Sequence, residues 1–291
     1  KESKVGGEAG MKYFIVGSVA SAVGIYGMSL LYLWSGDLSL DALAMKWSES
    51  QSVDPLAGIA VGLMLVAFGF KVGAAPFHLA APDAYSGASS PVAGLLATAS
   101  KAMGFVALMR ILVSVTMPIE GEAFWYTAIA VIAVVTMTWG NLAALTSSNP
   151  KRMLAYSSVS HAGYMLAGLA AIGRSLGSQE AIELLLTAIV FHLAVLVIFK
   201  FGAFLVLSLL ETEGRSHRLE DLHGLARRDP LVAGSMFLFM LSLAGVPPLS
   251  KIYSFAILSK SKRFIPTSQF SFNKLSVFFV NNPHSFKIPV S

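Results

Sequence analysis

Long, nearly unbroken runs of apolar residues dominate the chain, and polar residues gather between them. A bilayer core about 30 Å thick needs about 20 residues of helix to cross it. Six runs have the required length: 11–34, 55–84, 92–115, 123–146, 151–172 and 181–210. A seventh, partial run begins near residue 230 and is interrupted at Pro247. Because the runs are continuous rather than alternating, they predict an all-α membrane protein, a polytopic bundle of transmembrane helices.

The composition agrees with a membrane environment. Hydrophobic residues make up 55% of the 291 positions and charged residues only 13%, whereas soluble domains have about 25% charged residues. The absence of cysteine excludes disulfides and thiolate chemistry. The net charge of +5 comes from basic residues at the ends of apolar runs, a pattern typical of membrane topology rather than of nucleic-acid binding. We therefore expect a multi-pass membrane protein, with the bilayer as a partner and no nucleic acid.

Lysines occur where a positive charge is costly. Lys71, Lys101 and Lys200 lie deep within apolar runs, and Lys251 follows the break at Pro247. A lysine at the bilayer centre costs at least a few kcal/mol. For any one of them the ammonium could instead extend to the headgroups, an alternative that is strongest for Lys251. Several lysines at similar depth favour a buried polar path. Lysine can release a proton whereas arginine stays charged, so these four are candidates for proton transfer.

One histidine joins these candidates. His161 opens the run 151–172 among Ser157, Ser158 and Ser160. It is either a proton carrier between lysines or a hydrogen-bonded core histidine, and the sequence leaves both readings open. His and acidic residues lack metal-ligand spacing, and no phosphate-binding loop, nucleophile elbow or dinucleotide fingerprint is present. We expect no metal and no redox cofactor in this chain.

Proline interrupts two of the apolar runs beside a lysine. The stretches are FKVGAAPFH around Pro76 and LAGVPPLSK around Pro247. The breaks lie in the second and seventh runs, five spans apart, so they have opposite orientations. Inverted repeats with proline-broken helices are a transporter design, in which the site lies near the membrane midplane.

Residues 71–104, KVGAAPFHLAAPDAYSGASSPVAGLLATASKAMG, resemble the signature of the subunit N (subunit 2) family of respiratory complex I, the NADH–quinone oxidoreductase. EAGMKYF (8–14), NLAALTSSNPKRMLAYSSVSHAGYML (141–166) and LSLAGVPPL (241–249) match in the same order. The resemblance implies an antiporter-like, proton-translocating membrane domain over 5–250, followed by a divergent tail over 251–291. It also implies proton transport through a buried lysine relay, driven by electron transfer in other subunits. NADH, flavin, iron–sulfur clusters and quinone would then belong to partner subunits, and protons and other complex I membrane subunits would be this chain's partners. The resemblance also implies the cell membrane of a prokaryote or an organelle inner membrane.

By that resemblance Lys71 is the lysine of the first broken helix and Lys101 the central lysine of the next helix. The family's glutamate partner for the first lysine lies in a preceding helix, so we expect this chain to be the middle of a longer subunit. The family usually has asparagine at Lys200 and tryptophan at Ala80. Its terminal lysine comes later than Lys251, which follows the second break directly.

Two other interpretations stay open. One is a subunit of a multisubunit cation/proton antiporter or of a membrane-bound hydrogenase, which share lysine-bearing broken helices. The other is a truncated chain with a structural role or no function.

Overall fold

The computed structural model describes residues 4–50, 54–113, 124–173, 179–214 and 218–245. Within these residues all regular structure is helical. The last predicted break, at Pro247, and the tail 251–291 lie outside the described residues. The helices are α1 Lys4–Ser35, α2 Leu40–Glu49, α3 Pro55–Val72, α4 Ala80–Gly87, α5 Ser90–Leu95, α6 Lys101–Ile111, α7 Phe124–Leu145, α8 Pro150–Ile172, α9 Gln179–Thr212, α10 Leu225–Arg228 and α11 Pro230–Ala244.

Five described segments are long and apolar enough to cross a membrane, and they confirm a polytopic helical bundle. The fifth predicted run forms helix α8, as expected, but it is less apolar than the others and is not among these five. Most of α8 is buried inside the protein. A helix enclosed by other helices does not need lipid-facing side chains, which leaves room for serine, histidine and lysine. The five segments are Lys4–Ser35, Pro55–Gly87, Ser90–Ile111, Trp125–Leu145 and Glu180–Thr212.

The helices pack around α8. It contacts α7, α9 and α4, while α9 also packs on α5 and α11, and α1 packs on α3 and α4. Gly163 permits the close approach of α7, because a Cβ there would lie 2.6 Å from the backbone nitrogen of Met137 and 2.9 Å from the carbonyl oxygen of Ala133. Small residues have this role in membrane bundles. The polar residues of α8 are therefore held in the interior.

The short helix α2 is an element that the apolar runs did not predict. Ser39 caps its N-terminus by accepting a hydrogen bond from the backbone nitrogen of Ala42, as N-cap serines do. Leu43 and Trp47 are buried on one face, and the Trp47 ring meets Trp34 of α1 edge-on. Both side chains belong to an apolar cluster with Leu31 of α1 and Met64 of α3.

Candidate functional site

The second span is broken close to Pro76. Helix α3 ends at Val72, and Gly73 follows in the left-handed conformation with φ +76°. A single 3₁₀ turn, Phe77–Leu79, then leads into α4. The break frees the backbone nitrogen of Ala75, which donates to the Thr136 hydroxyl of α7 at 2.9 Å. A neighbouring helix therefore satisfies the interrupted backbone, as burial in a membrane requires.

Lys101 begins α6 directly after a wide π-type turn, Leu96–Ser100. Such turns leave carbonyl groups without their usual helical partners and often occur at functional sites. The Tyr85 hydroxyl donates to the Leu96 carbonyl oxygen at 3.1 Å. The Ser158 hydroxyl of α8 donates to the carbonyl oxygen of Ala97 at 3.4 Å. The turn is thus fixed by side chains from two neighbouring helices.

The Lys101 side chain is only 2% exposed. Its Nζ donates to the Ser158 carbonyl oxygen at 3.0 Å. It also lies against the end of α3, because a Cβ on Gly73 would stand 2.9 Å from this Nζ. The C-terminus of a helix carries partial negative charge that favours a nearby cation. The broken end of α3 therefore provides a favourable electrostatic environment for the Lys101 ammonium.

Lys200 of α9 is fully buried and reaches the same turn of α8 from another side. Its Nζ donates to the Ser157 hydroxyl at 2.9 Å and to the carbonyl oxygen of Leu154 at 3.3 Å. Adjacent serines, Ser157 and Ser158, thus hold two lysines from two different helices. Among the described residues, no carboxylate forms an ion pair with either lysine.

Lys71 occupies a different position. Its side chain is exposed on the outer surface of the chain, and its stem lies against Gly104 of α6. Its ammonium makes no hydrogen bond or ion pair with any residue of the described ranges. The structure therefore brings Lys101 and Lys200 to one turn of α8, while the side chain of Lys71 is exposed. Lys251 lies outside the described residues, as does the expected second break.

Two histidines meet between α8 and α9. His161 is 8% exposed, and its Nδ1 lies 3.3 Å from the Nε2 of His192. Sequence reasoning singled out His161 but not its partner. The available signal was that His192 precedes Lys200 by eight residues, just over two helical turns. A third histidine, His78 in the break, is buried with its ring edge-on to Trp139.

Sequence reasoning also missed an ion pair at one end of the bundle. Lys151 of α8, with a side chain 4% exposed, donates to Glu211 of α9 at 2.9 Å and to the carbonyl oxygen of Ala88 at 2.9 Å. The other carboxylate oxygen of Glu211 accepts from the backbone nitrogen of Ser90 at 2.9 Å. The pair ties α8, α9 and the start of α5 together. Among the described residues, no three His, Asp or Glu side chains are grouped as a metal site would require.

Comparisons with known proteins agree with this architecture. Subunit N of NADH-quinone oxidoreductase from Heliobacterium modesticaldum is 42% identical over 282 residues, covering 94% of this chain and 56% of that protein. The solved Mrp complex from Dietzia contains a chain that is 30% identical with a TM-score of 0.77, covering 89% of this chain and 45% of that one. Respiratory complex I from Thermus thermophilus contains one that is 34% identical with a TM-score of 0.67, covering 93% and 55%. The chain spans about half the length of the curated relatives it matches.

A family model extends the match over most of the chain. The model described as "NADH:quinone oxidoreductase/Mrp antiporter, TM" fits residues 1–272. That range contains both buried lysines, the broken helix and the paired histidines. The chain therefore belongs to the NADH:quinone oxidoreductase/Mrp antiporter transmembrane family.

Proposed function

We propose that this chain is the proton-translocating part of a subunit N-type membrane component of NADH–quinone oxidoreductase. The observation that carries the proposal is the pair of buried lysines, Lys101 and Lys200, held by adjacent serines of one helix. Several relatives that are 40% or more identical carry the subunit N name. Electron transfer and its cofactors would belong to other subunits of the complex.

In this mechanism Lys101 and Lys200 pass a proton along α8. An ammonium on one side donates its proton, through the serines or a bound water, to the neutral amine on the other side. The acceptors around both lysines are hydroxyl and carbonyl oxygens, which can orient an ammonium without neutralising it. A like charge nearby disfavours protonation of the second lysine, so the arrival of charge at one lysine promotes release at the other. The end of α3 beside Lys101 makes the broken helix part of this electrostatic environment.

The proposal is tested with variants of the full-length subunit assembled in its complex in membrane vesicles. Lys101→Ala should lower the rate of proton transport about a hundredfold, because loss of a proton-transfer group costs about 10²–10⁴ in rate. Lys101→Arg should be nearly as impaired, since arginine keeps the charge but does not release its proton. Lys46→Ala, at an exposed position of α2, is the matched control. Normal transport in both Lys101 variants would refute the lysine relay.

The antiporter interpretation is the second candidate, and the structural likeness to the Mrp complex favours it. That likeness has the TM-score of 0.77 given above, against 0.67 for complex I. A subunit of this type would exchange sodium for protons without quinone or NADH. Transport that requires sodium and continues without an electron donor would therefore favour the antiporter function.

A further inference from the structure

Lys151 and Glu211 form an ion pair where helices α8 and α9 reach one end of the bundle. Lys151 is the second residue of α8, and Glu211 is the penultimate residue of α9. The Lys151 Nζ lies 2.9 Å from a carboxylate oxygen of Glu211. The lysine side chain is 4% exposed and the glutamate side chain 29% exposed. The carboxylate therefore lies at the surface, while the ammonium behind it is enclosed.

On α8, this pair continues the row of polar contacts made with the buried lysines. The Leu154 carbonyl oxygen and the Ser157 hydroxyl both accept from Lys200. Positions 151, 154 and 157 are three residues apart, a spacing that keeps them on one side of the helix. At 1.5 Å per residue, Lys151 lies about 4.5 Å from Leu154 along the helix axis. Lys151 is thus one turn nearer the end of the bundle than the acceptors of Lys200.

Helix α9 has the same order of groups. Glu211 follows Lys200 by eleven residues, which is about three full turns of α-helix. Both side chains therefore leave α9 on the same side. The facing sides of α8 and α9 lead from the buried Lys200 to one ion pair at the surface.

We propose that Lys151 and Glu211 form the proton entrance of the lysine relay, in which Glu211 takes protons from water and Lys151 passes them to Lys200. The proposal rests on the proposed function and adds two groups to it. Glu211 suits the first task because its carboxylate is accessible from outside. Lys151 suits the second because it is enclosed and, unlike arginine, can release a proton.

The transfer conserves protons and charge. A proton from water binds the Glu211 carboxylate and forms an O–H bond. The Lys151 ammonium gives a proton, through a bound water, to the neutral amine of Lys200. The carboxylic acid of Glu211 then returns its proton to the Lys151 amine, which restores the ion pair. One N–H bond breaks and one forms at Lys151, and Lys200 gains the proton that left the water.

The test replaces Lys151 by arginine in the full-length subunit within its complex and measures proton transport in membrane vesicles. Lys151→Arg keeps a cation opposite Glu211 but does not release its proton, so transport should fall about tenfold or more. Lys12→Arg is the matched control, because Lys12 is half-exposed and pairs with Glu8 at 2.6 Å; transport should be unchanged. Normal transport in Lys151→Arg would show that the pair only joins the helices, and would overturn the proposal.

Small anions test the carboxylate in the same vesicles. Glu211→Ala leaves room for a small ion beside Lys151. Added formate should restore part of the lost transport, because it supplies a negative charge and also carries a proton. Nitrate is of similar size but binds no proton near neutral pH, and should restore nothing. The unaltered complex with the same anions corrects for leakage of formic acid through the bilayer. Equal restoration by nitrate, or none by formate, would overturn the proposal.

Lys101→Ala measured in parallel separates the proton entrance from the proposed function. A loss of transport in Lys101→Ala with normal transport in Lys151→Arg would overturn the entrance and leave the lysine relay intact. Normal transport in Lys101→Ala would overturn the proposed function and, with it, the entrance. If Lys151→Arg does not assemble, the comparison of formate with nitrate in Glu211→Ala decides.

Discussion

Gly73 links the broken helix to Lys101, and its replacement by alanine tests that link. Gly73 has φ +76°, a conformation that costs a non-glycine residue about 1–2 kcal/mol. The added Cβ would also lie 2.9 Å from Lys101 Nζ and 3.3 Å from its Cε. Because the end of a lysine side chain is flexible, we expect it to move aside rather than the backbone.

That movement has a cost of its own. It takes Nζ away from the Ser158 carbonyl oxygen, and a hydrogen bond to a charged group contributes about 1.5–3 kcal/mol. Together the two effects of Gly73→Ala should lower the free energy of unfolding by about 2.5–5 kcal/mol. Of these two effects, only the displacement of Lys101 should affect proton transfer. At about 1.4 kcal/mol per tenfold change in rate, it should slow proton transport about tenfold to a hundredfold.

Gly214→Ala is the matched control for this experiment. Gly214 has φ +73°, with no atom within 4 Å of an added Cβ. It therefore carries the backbone strain of Gly73→Ala without the contact to lysine. Both variants are compared by thermal unfolding of the purified complex and by proton transport in vesicles. Equal effects of the two substitutions on transport would show that contact between the end of α3 and Lys101 is unimportant, and would refute the reasoning.

Three further substitutions test the surroundings of the site by the same assays. Glu211→Gln leaves Lys151 without its carboxylate and should cost about 2 kcal/mol of stability, less than the ~3–5 kcal/mol of a fully buried pair, because Glu211 is 29% exposed; unchanged thermal unfolding would contradict this. Gly163→Ala places a Cβ 2.6 Å from the backbone of α7 and should destabilise the bundle by about 1–3 kcal/mol, an effect that an intact unfolding temperature would disprove. Ser157→Ala removes one acceptor of Lys200 and should cost about 1.5–3 kcal/mol, with slower transport; transport at the normal rate would show that the hydroxyl is not needed.

The apolar runs predicted most of the fold, because a membrane helix can be recognised from its length and composition. Helix α7 was predicted at 123–146 and is found at Phe124–Leu145. The short helix α2 was missed, since its ten residues bury only Leu43 and Trp47 and so produce no long apolar run. The reduced hydropathy of α8 was not anticipated either, because enclosure by neighbouring helices is a property of the assembled bundle.

The sequence identified several residues of the candidate site, but not how they are arranged in space. Lys101 and Lys200 are conspicuous as charges in apolar runs, yet no sequence spacing shows that both reach one turn of α8. Lys71 looked equivalent to them, but it faces outward. The direction in which a side chain points depends on how the helices are rotated about their axes. The span 55–84 is broken, so its apolar residues follow no single helical period that would show which face Lys71 occupies. His192 was not singled out because nothing in its sequence surroundings shows that its ring meets that of His161.

The π-type turn before Lys101 also sets the angular phase of the helix that follows it. Such a turn is equivalent to one extra residue in an α-helix, and each residue of an α-helix turns the chain by about 100°. Deleting one residue from Leu96–Ser100 would let the segment continue as a regular helix from α5 into α6. The Lys101 side chain would then be rotated by about a quarter-turn away from α8. A single extra residue in Leu96–Ser100 therefore decides whether Lys101 faces the interior of the bundle, although the lysine itself would still be present.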